Sequence, residues 1–85
     1  MKPLVIGLIG CGLWGRNILR ELAHLNAQAH VMDPHPESRE YADQNGAHKT
    51  YSNLEDLPEV DGIILSTPAS LHAQQIKELI RLGKP

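Results

Sequence analysis

Six residues near the N-terminus, Gly10-Cys11-Gly12-Leu13-Trp14-Gly15, carry the spacing G-x-G-x-x-G, and an acidic residue, Asp33, stands 18 positions beyond the last glycine. The chemistry this pattern serves is the holding of a dinucleotide by its pyrophosphate. Gly10 permits a tight turn, Gly12 has no side chain to hold a pyrophosphate away from the backbone, and Gly15 lets a following helix lie close to its sheet. The N–H groups at the helix start, around Leu13 and Trp14, act with the helix dipole to favour phosphate oxygens. Asp33 is then placed to accept hydrogen bonds from the two ribose hydroxyls of the adenosine half. Its charge repels a 2′-phosphate, so NAD is expected ahead of NADP. His35 and Arg39 follow closely and can meet the adenine or accommodate a 2′-phosphate, which keeps NADP open.

Each of these residues also has a plainer reading. The glycines can form a turn needed only for packing, and Asp33 can be a solvated strand end or a cap. Trp14, the only tryptophan, can pack on the cofactor or bury itself on the helix stripe. Cys11 reads as a small loop residue with no redox role. The five histidines, His24, His30, His35, His48 and His72, show no i, i+4 pair and no cysteine partners, so no metal site is expected. Only His72 falls where chemistry is done, in the first turn of the last helix beside the carboxyl edge of the sheet. A core histidine satisfied by a backbone carbonyl is an equal alternative for it.

The elements that must position these groups follow from hydrophobic period. Leu4 to Ile9 is a continuous apolar run ended by glycines, as in a strand buried on both faces. From Trp14 the period becomes helical, with Trp14, Ile18, Leu22 and Leu25 on one stripe. Ala27 to Met32 predicts a second strand, stopped at Asp33-Pro34. Pro36 opens a short polar helix, Glu37 to Asn45, with Gly46 as its C-terminal cap. His48 to Tyr51 predicts a short strand, and Ser52-Asn53-Leu54-Glu55 a capping box on a one-turn helix ended by Pro58. Val60 to Thr67 predicts the fourth strand, and Leu71 to Leu82 a final helix with Ala73, Ile76, Leu79 and Ile80 inward. Strands alternating with helices four times argue an α/β fold: a doubly wound parallel sheet in the order 3-2-1-4, with four strands of the six that the full arrangement has.

Composition narrows the classes. Eighty-five residues make at most one domain, here residues 1–85, and 41% hydrophobic with 21% charged residues is too apolar for disorder. A formal charge of -2 offers no basic field, so neither nucleic acid nor an anionic membrane is an expected partner. A single cysteine fits the cytoplasm. One rival is that Lys2 and the apolar stretch to Leu13, with Leu8-Ile9-Gly10-Cys11 inside it, resemble a secretory leader. Against it stand Pro3, the short core ahead of Cys11 and the periodic helix that follows.

The residues resemble the N-terminal part of the glucose-fructose oxidoreductase and inositol dehydrogenase family, known as Gfo/Idh/MocA. The resemblance rests on the glycine fingerprint, Asp33, Tyr51-x-x-Leu54 with Leu57, Val60-Asp61 leading into Ile63-Ile64-Leu65-Ser66-Thr67-Pro68, and Thr67-Pro68-x-x-x-His72 followed by Leu82-Gly83-Lys84-Pro85. It spans all 85 residues. The resemblance implies a Rossmann domain for a nicotinamide cofactor, with Gly10, Gly12, Leu13, Trp14, Gly15, Asp33, Thr67, Pro68 and His72 near it. It also implies hydride transfer to or from a sugar, inositol or similar alcohol. Ala69 departs from the asparagine many members carry after Thr-Pro. Relatives continue into a strand ending in Glu-Lys-Pro, whose lysine sits at the active site, and into a substrate domain. Lys84-Pro85 is not that motif, so no catalytic residue is assigned, and the chain is expected to be the cofactor half of a larger oxidoreductase. A stand-alone NAD-binding sensor and an interaction module are the alternatives. The outer side of Val60 to Thr67 is expected to be an exposed edge prone to self-association.

Overall fold

A computed structural model describes residues 3–83. Lys2 and Lys84-Pro85, named above, lie outside the described residues. The strands are β1 (Val5–Ile9), β2 (Gln28–Met32), β3 (Lys49–Tyr51) and β4 (Gly62–Leu65); the helices are α1 (Leu13–His24), α2 (Pro36–Gln44) and α3 (His72–Arg81). One-turn 3₁₀ helices span Leu54–Asp56 and Ala69–Leu71. All strand pairs are parallel, and the order is β3-β2-β1-β4. The chain runs outward from β1 to β3, then crosses back to place β4 on the other side of β1. That reversal opens a crevice beyond the carboxyl ends of β1 and β4, where open α/β sheets take ligands.

Alternation along the strands divides the apolar residues between two layers. Ile6, Leu8, Ala29 and Val31 face α1 and α2, packing with Leu19, Leu22 and Ala42. Ile9 and Met32 face the other way, onto Leu57, with Tyr51, Leu54, Ile63 and Leu65 around them. Burial on both sides explains why β1 reads as an uninterrupted apolar run. Two helices end on left-handed residues whose following amides reach back. Asn26 has φ 58° and Ala27 N–H donates to Leu22 C=O; Gly46 has φ 105° and Ala47 N–H donates to Ala42 C=O.

Four local expectations change. The buried face of α1 is Gly15, Leu19 and Leu22, with Ile18 partly buried, whereas Trp14 and Leu25 are exposed. The glycine itself is the contact residue, and its close approach turns Trp14 outward. In α3, Leu79 is buried while Ile76 and Ile80 are exposed. The Leu54–Asp56 turn has Asn53 at its N-cap and no side-chain cap hydrogen bond, so the capping box from Ser52 does not form. β4 is shorter than the run that predicts it, although its neighbours still bond to β1. Asp61 N–H donates to Val5 C=O, and Asp61 Oδ2 accepts from Val5 N–H at 2.8 Å.

Candidate functional site

The turn out of β1 is held from both flanking strands. Gly10 N–H donates to Met32 C=O at 2.7 Å, and Ser66 N–H donates to Ile9 C=O at 2.8 Å. Gly10 has φ 95°, and a Cβ there would lie 2.8 Å from Thr67 Cγ2. At Gly15 a Cβ would collide with the Gly10 carbonyl. Gly12 differs: nothing lies within 4 Å of a Cβ at that position. Two of the three glycines are thus demanded by the protein's own packing, and the middle one is not. Gly12 is the N-cap of α1, no side chain caps that end, and its first turn holds no acidic residue. The positive end of the helix dipole therefore faces outward over the crevice. Leu13 and Trp14 stand beside it, 81% and 75% exposed.

Asp33 closes the other side. It is only 5% exposed, and both carboxylate oxygens are engaged within the protein. Oδ2 accepts from Cys11 N–H at 2.8 Å, tying the glycine loop to the end of β2. Oδ1 accepts from His35 N–H at 2.9 Å and lies 3.0 Å from His35 Nδ1. Arg39 donates from its guanidinium to the Asp33 carbonyl at 2.8 Å, and Asp33 N–H donates to Tyr51 C=O. Cys11 is fully buried; burial first, and the nearby Asp33 second, raise its thiol pKa, with Arg16 pulling the other way. That environment makes an unreactive thiol.

The turn after β4 is fixed by side chains. His72 Nε2 donates to Thr67 C=O at 2.7 Å, so the proton sits on Nε2, and Thr67 Oγ1 donates to Gln75 Oε1 at 2.5 Å. Both His72 and Thr67 are half-buried, and Pro68 is exposed, its carbonyl accepting from Leu71 N–H. Thr67 thereby meets Gly10, so the structure brings Gly10, Gly12, Gly15, Asp33, Thr67 and His72 to one edge of the sheet. A groove between α3 and the Leu54 turn continues that edge, bordered by Met32, Asn53, Leu54, Leu71, Gln75 and Glu78.

Sequence reasoning missed two features. Ser66 Oγ, beside Gly15, is buried with no hydrogen-bond partner among the described residues. On β2, His30 is buried; its Nδ1 lies 2.9 Å from Tyr51 Oη and its ring centroid 5.0 Å from that of His48. Burial chiefly, then His48 and Lys49, lower the pKa of His30, and burial raises that of Tyr51. The signal in the sequence was faint: polar residues on strands, made neighbours only by the β2–β3 register. No cluster of three or more metal-ligating His, Cys, Asp or Glu occurs among the described residues, and none of their helices is long and apolar enough to cross a membrane.

A parallel β3-β2-β1-β4 sheet with a glycine turn under an uncapped helix N-terminus defines a dinucleotide-binding α/β domain. The comparisons with known proteins agree. The chain belongs to the Gfo/Idh/MocA family, described as "Oxidoreductase family, NAD-binding Rossmann fold", whose match covers residues 4–85. It is 34% identical over 90 residues to the rhizopine catabolism protein MocA of Rhizobium meliloti, covering 100% of this chain and 28% of that protein. It is 32% identical over 90 residues to the uncharacterized oxidoreductase YrbE of Bacillus subtilis (strain 168), covering 98% of this chain and 26% of that protein. The chain therefore spans little more than a quarter of the length of either relative.

Proposed function

We propose that this chain binds a nicotinamide dinucleotide, NAD ahead of NADP, across the crevice at β1 and β4, and is the cofactor-holding part of an oxidoreductase. The observation that carries the proposal is Gly12. Packing gives no reason for a glycine there, since a Cβ would touch nothing. A pyrophosphate lying on the first turn of α1 gives that reason. Leu13 and Trp14 flank the phosphates, Asp33 faces the adenosine ribose, and Thr67, Pro68 and His72 shape the wall toward the nicotinamide. When bound, the cofactor supplies the hydride acceptor; the chain's own part is to bind, orient and wall it off. The substrate class, a sugar, inositol or similar alcohol, rests on the family resemblance, and the proton-accepting group is proposed to lie outside these residues. A cytoplasmic setting accords with the single, buried cysteine.

Calorimetric titration of the chain with NAD and with NADP tests this reading, with Gly12→Val as the diagnostic variant. The substitution is expected to abolish binding while changing stability by no more than about 1 kcal/mol, the cost of a poorer N-cap. Unchanged affinity in Gly12→Val would sink the proposal, and no binding by the parent chain would favour an interaction module. The outer side of β4, paired only with β1 among the described residues, is further proposed as a self-association edge. Sedimentation that stays monomeric at high concentration would refute that addition.

A further inference from the structure

We propose that His35 sets the choice between NAD and NADP, acting as a proton-controlled competitor for the Asp33 carboxylate; the proposal rests on the dinucleotide reading above. A carboxylate offers about four acceptor positions on its two oxygens. In this chain two are fixed to backbone N–H groups, those of Cys11 and His35, and a third faces His35 Nδ1. Two ribose hydroxyls need two positions, and only one remains. The backbone contacts cannot move without breaking the glycine loop or the start of α2. The imidazole can, because its side chain is 71% exposed while that of Asp33 is 7% exposed. A nucleotide with a free 2′-hydroxyl must therefore displace the His35 ring to engage Asp33 with both hydroxyls.

Protonation decides how hard that is. Histidine is the side chain whose charge ordinarily changes between pH 5 and 8. An imidazolium donates a charge-assisted hydrogen bond to Oδ1 and cancels the carboxylate's charge. The ribose diol then loses its acceptor, and a 2′-phosphate loses its repulsion and gains a cation. A neutral ring holds Asp33 weakly, leaving the anion to take the diol and reject the phosphate. The other charged groups around His35 do not reverse this. Arg39 donates to the Asp33 carbonyl, Glu37 lies in the first turn of α2, and Cys11 has a raised pKa on the far oxygen's side. Arg39 adds a second cation for a phosphate.

Affinities of the chain for NAD and NADP, measured by calorimetry from pH 5.5 to 8.5, test the proposal in the parent, His35→Asn and His35→Ala. Asparagine is a good N-cap, so His35→Asn keeps the start of α2 while removing the titration. The ratio of NADP to NAD affinity is expected to rise about tenfold or more toward acid pH in the parent, the worth of one hydrogen bond to a charged group. Both variants should lose this rise. The 2′-phosphate itself titrates near pH 6 as phosphate monoesters do, so a rise that persists in His35→Asn belongs to the ligand and overturns the proposal. A flat ratio in the parent overturns it as well, leaving the dinucleotide reading intact. Binding of neither nucleotide at any pH overturns that reading and this one with it.

Discussion

The two sides of β1 are built differently. Toward β2, the sheet is closed by α1 and α2, Gly10 and Gly15 of the loop admit no Cβ, and Leu8, Leu19 and Val31 are fully buried. Toward β4, every strand residue is only half-buried, and Leu71 just before α3, with Ile76 and Ile80 on it, is exposed. The β2 side of the domain is thus tightly packed, whereas the β4 side is held by two polar contacts, His72 to Thr67 and Thr67 to Gln75. For the dinucleotide binding proposed above, this division has a use: an anchor already held in place by packing loses little freedom when a pyrophosphate binds.

The sharpest test of that contrast is Leu8→Ala, in the middle of the closed side. Leu8 has no accessible surface and packs between α1 and the strands around it, so truncation is expected to cost about 3–5 kcal/mol. For a domain this small that loss leaves little or no folded protein at 37 °C. Urea unfolding followed by circular dichroism measures it. A cost under 1 kcal/mol would mean that the closed side is no tighter than the open one.

A buried titratable group probes the same side by pH. His30 has its pKa lowered, mainly by burial, so the native state binds fewer protons than the unfolded state over the interval below the unfolded histidine value of about 6.5. The stabilisation of its neutral form is complete above that value. It is lost as the pH falls through 6.5 toward the lowered folded-state value. The midpoint of thermal unfolding should therefore drop between about pH 6.5 and 5, before carboxylates begin to protonate, and His30→Gln should flatten that part of the curve. An unchanged curve in the variant would remove His30 from the account.

Much of the closed side was legible because its rules are short-range. A run of β-branched and aliphatic residues, three glycines and an acid after the next strand fix β1, the loop, α1 and β2 with few alternatives, and the 3-2-1-4 order follows from α/β alternation. The phase of α1 was misread by one residue, because a stripe counted from large apolar side chains cannot register that Gly15 is the contact. The inward turn of the Asp33 carboxylate was not legible either. It depends on the Cys11 N–H arriving across 22 positions of chain, which no local pattern encodes. The open side hid its helix phase for a different reason. His72, Gln75 and Leu79 share one face of α3 at spacings of three and four, and their polar anchors on Thr67 turn Leu79 inward. Hydrophobic period alone includes Leu79 correctly but adds Ala73, Ile76 and Ile80, which are exposed.

That helix phase supplies the smallest expected effect. Ile80 is 71% exposed and Leu79, its neighbour, is buried, so Ile80→Ser removes little burial and should change the unfolding free energy by no more than about 0.5 kcal/mol. The serine costs some helix propensity, which is part of that figure. The same substitution at Leu79 would introduce a hydroxyl into an apolar site and cost several times more. Equal costs at the two positions would mean that α3 is rotated in solution, with Ile80 against the sheet. A large cost at Ile80 alone, growing with protein concentration, would mean that a second copy covers the open face. Either result would erase the contrast between the two sides of β1, because the β4 side would then be closed by apolar packing instead of by the His72 and Gln75 anchors.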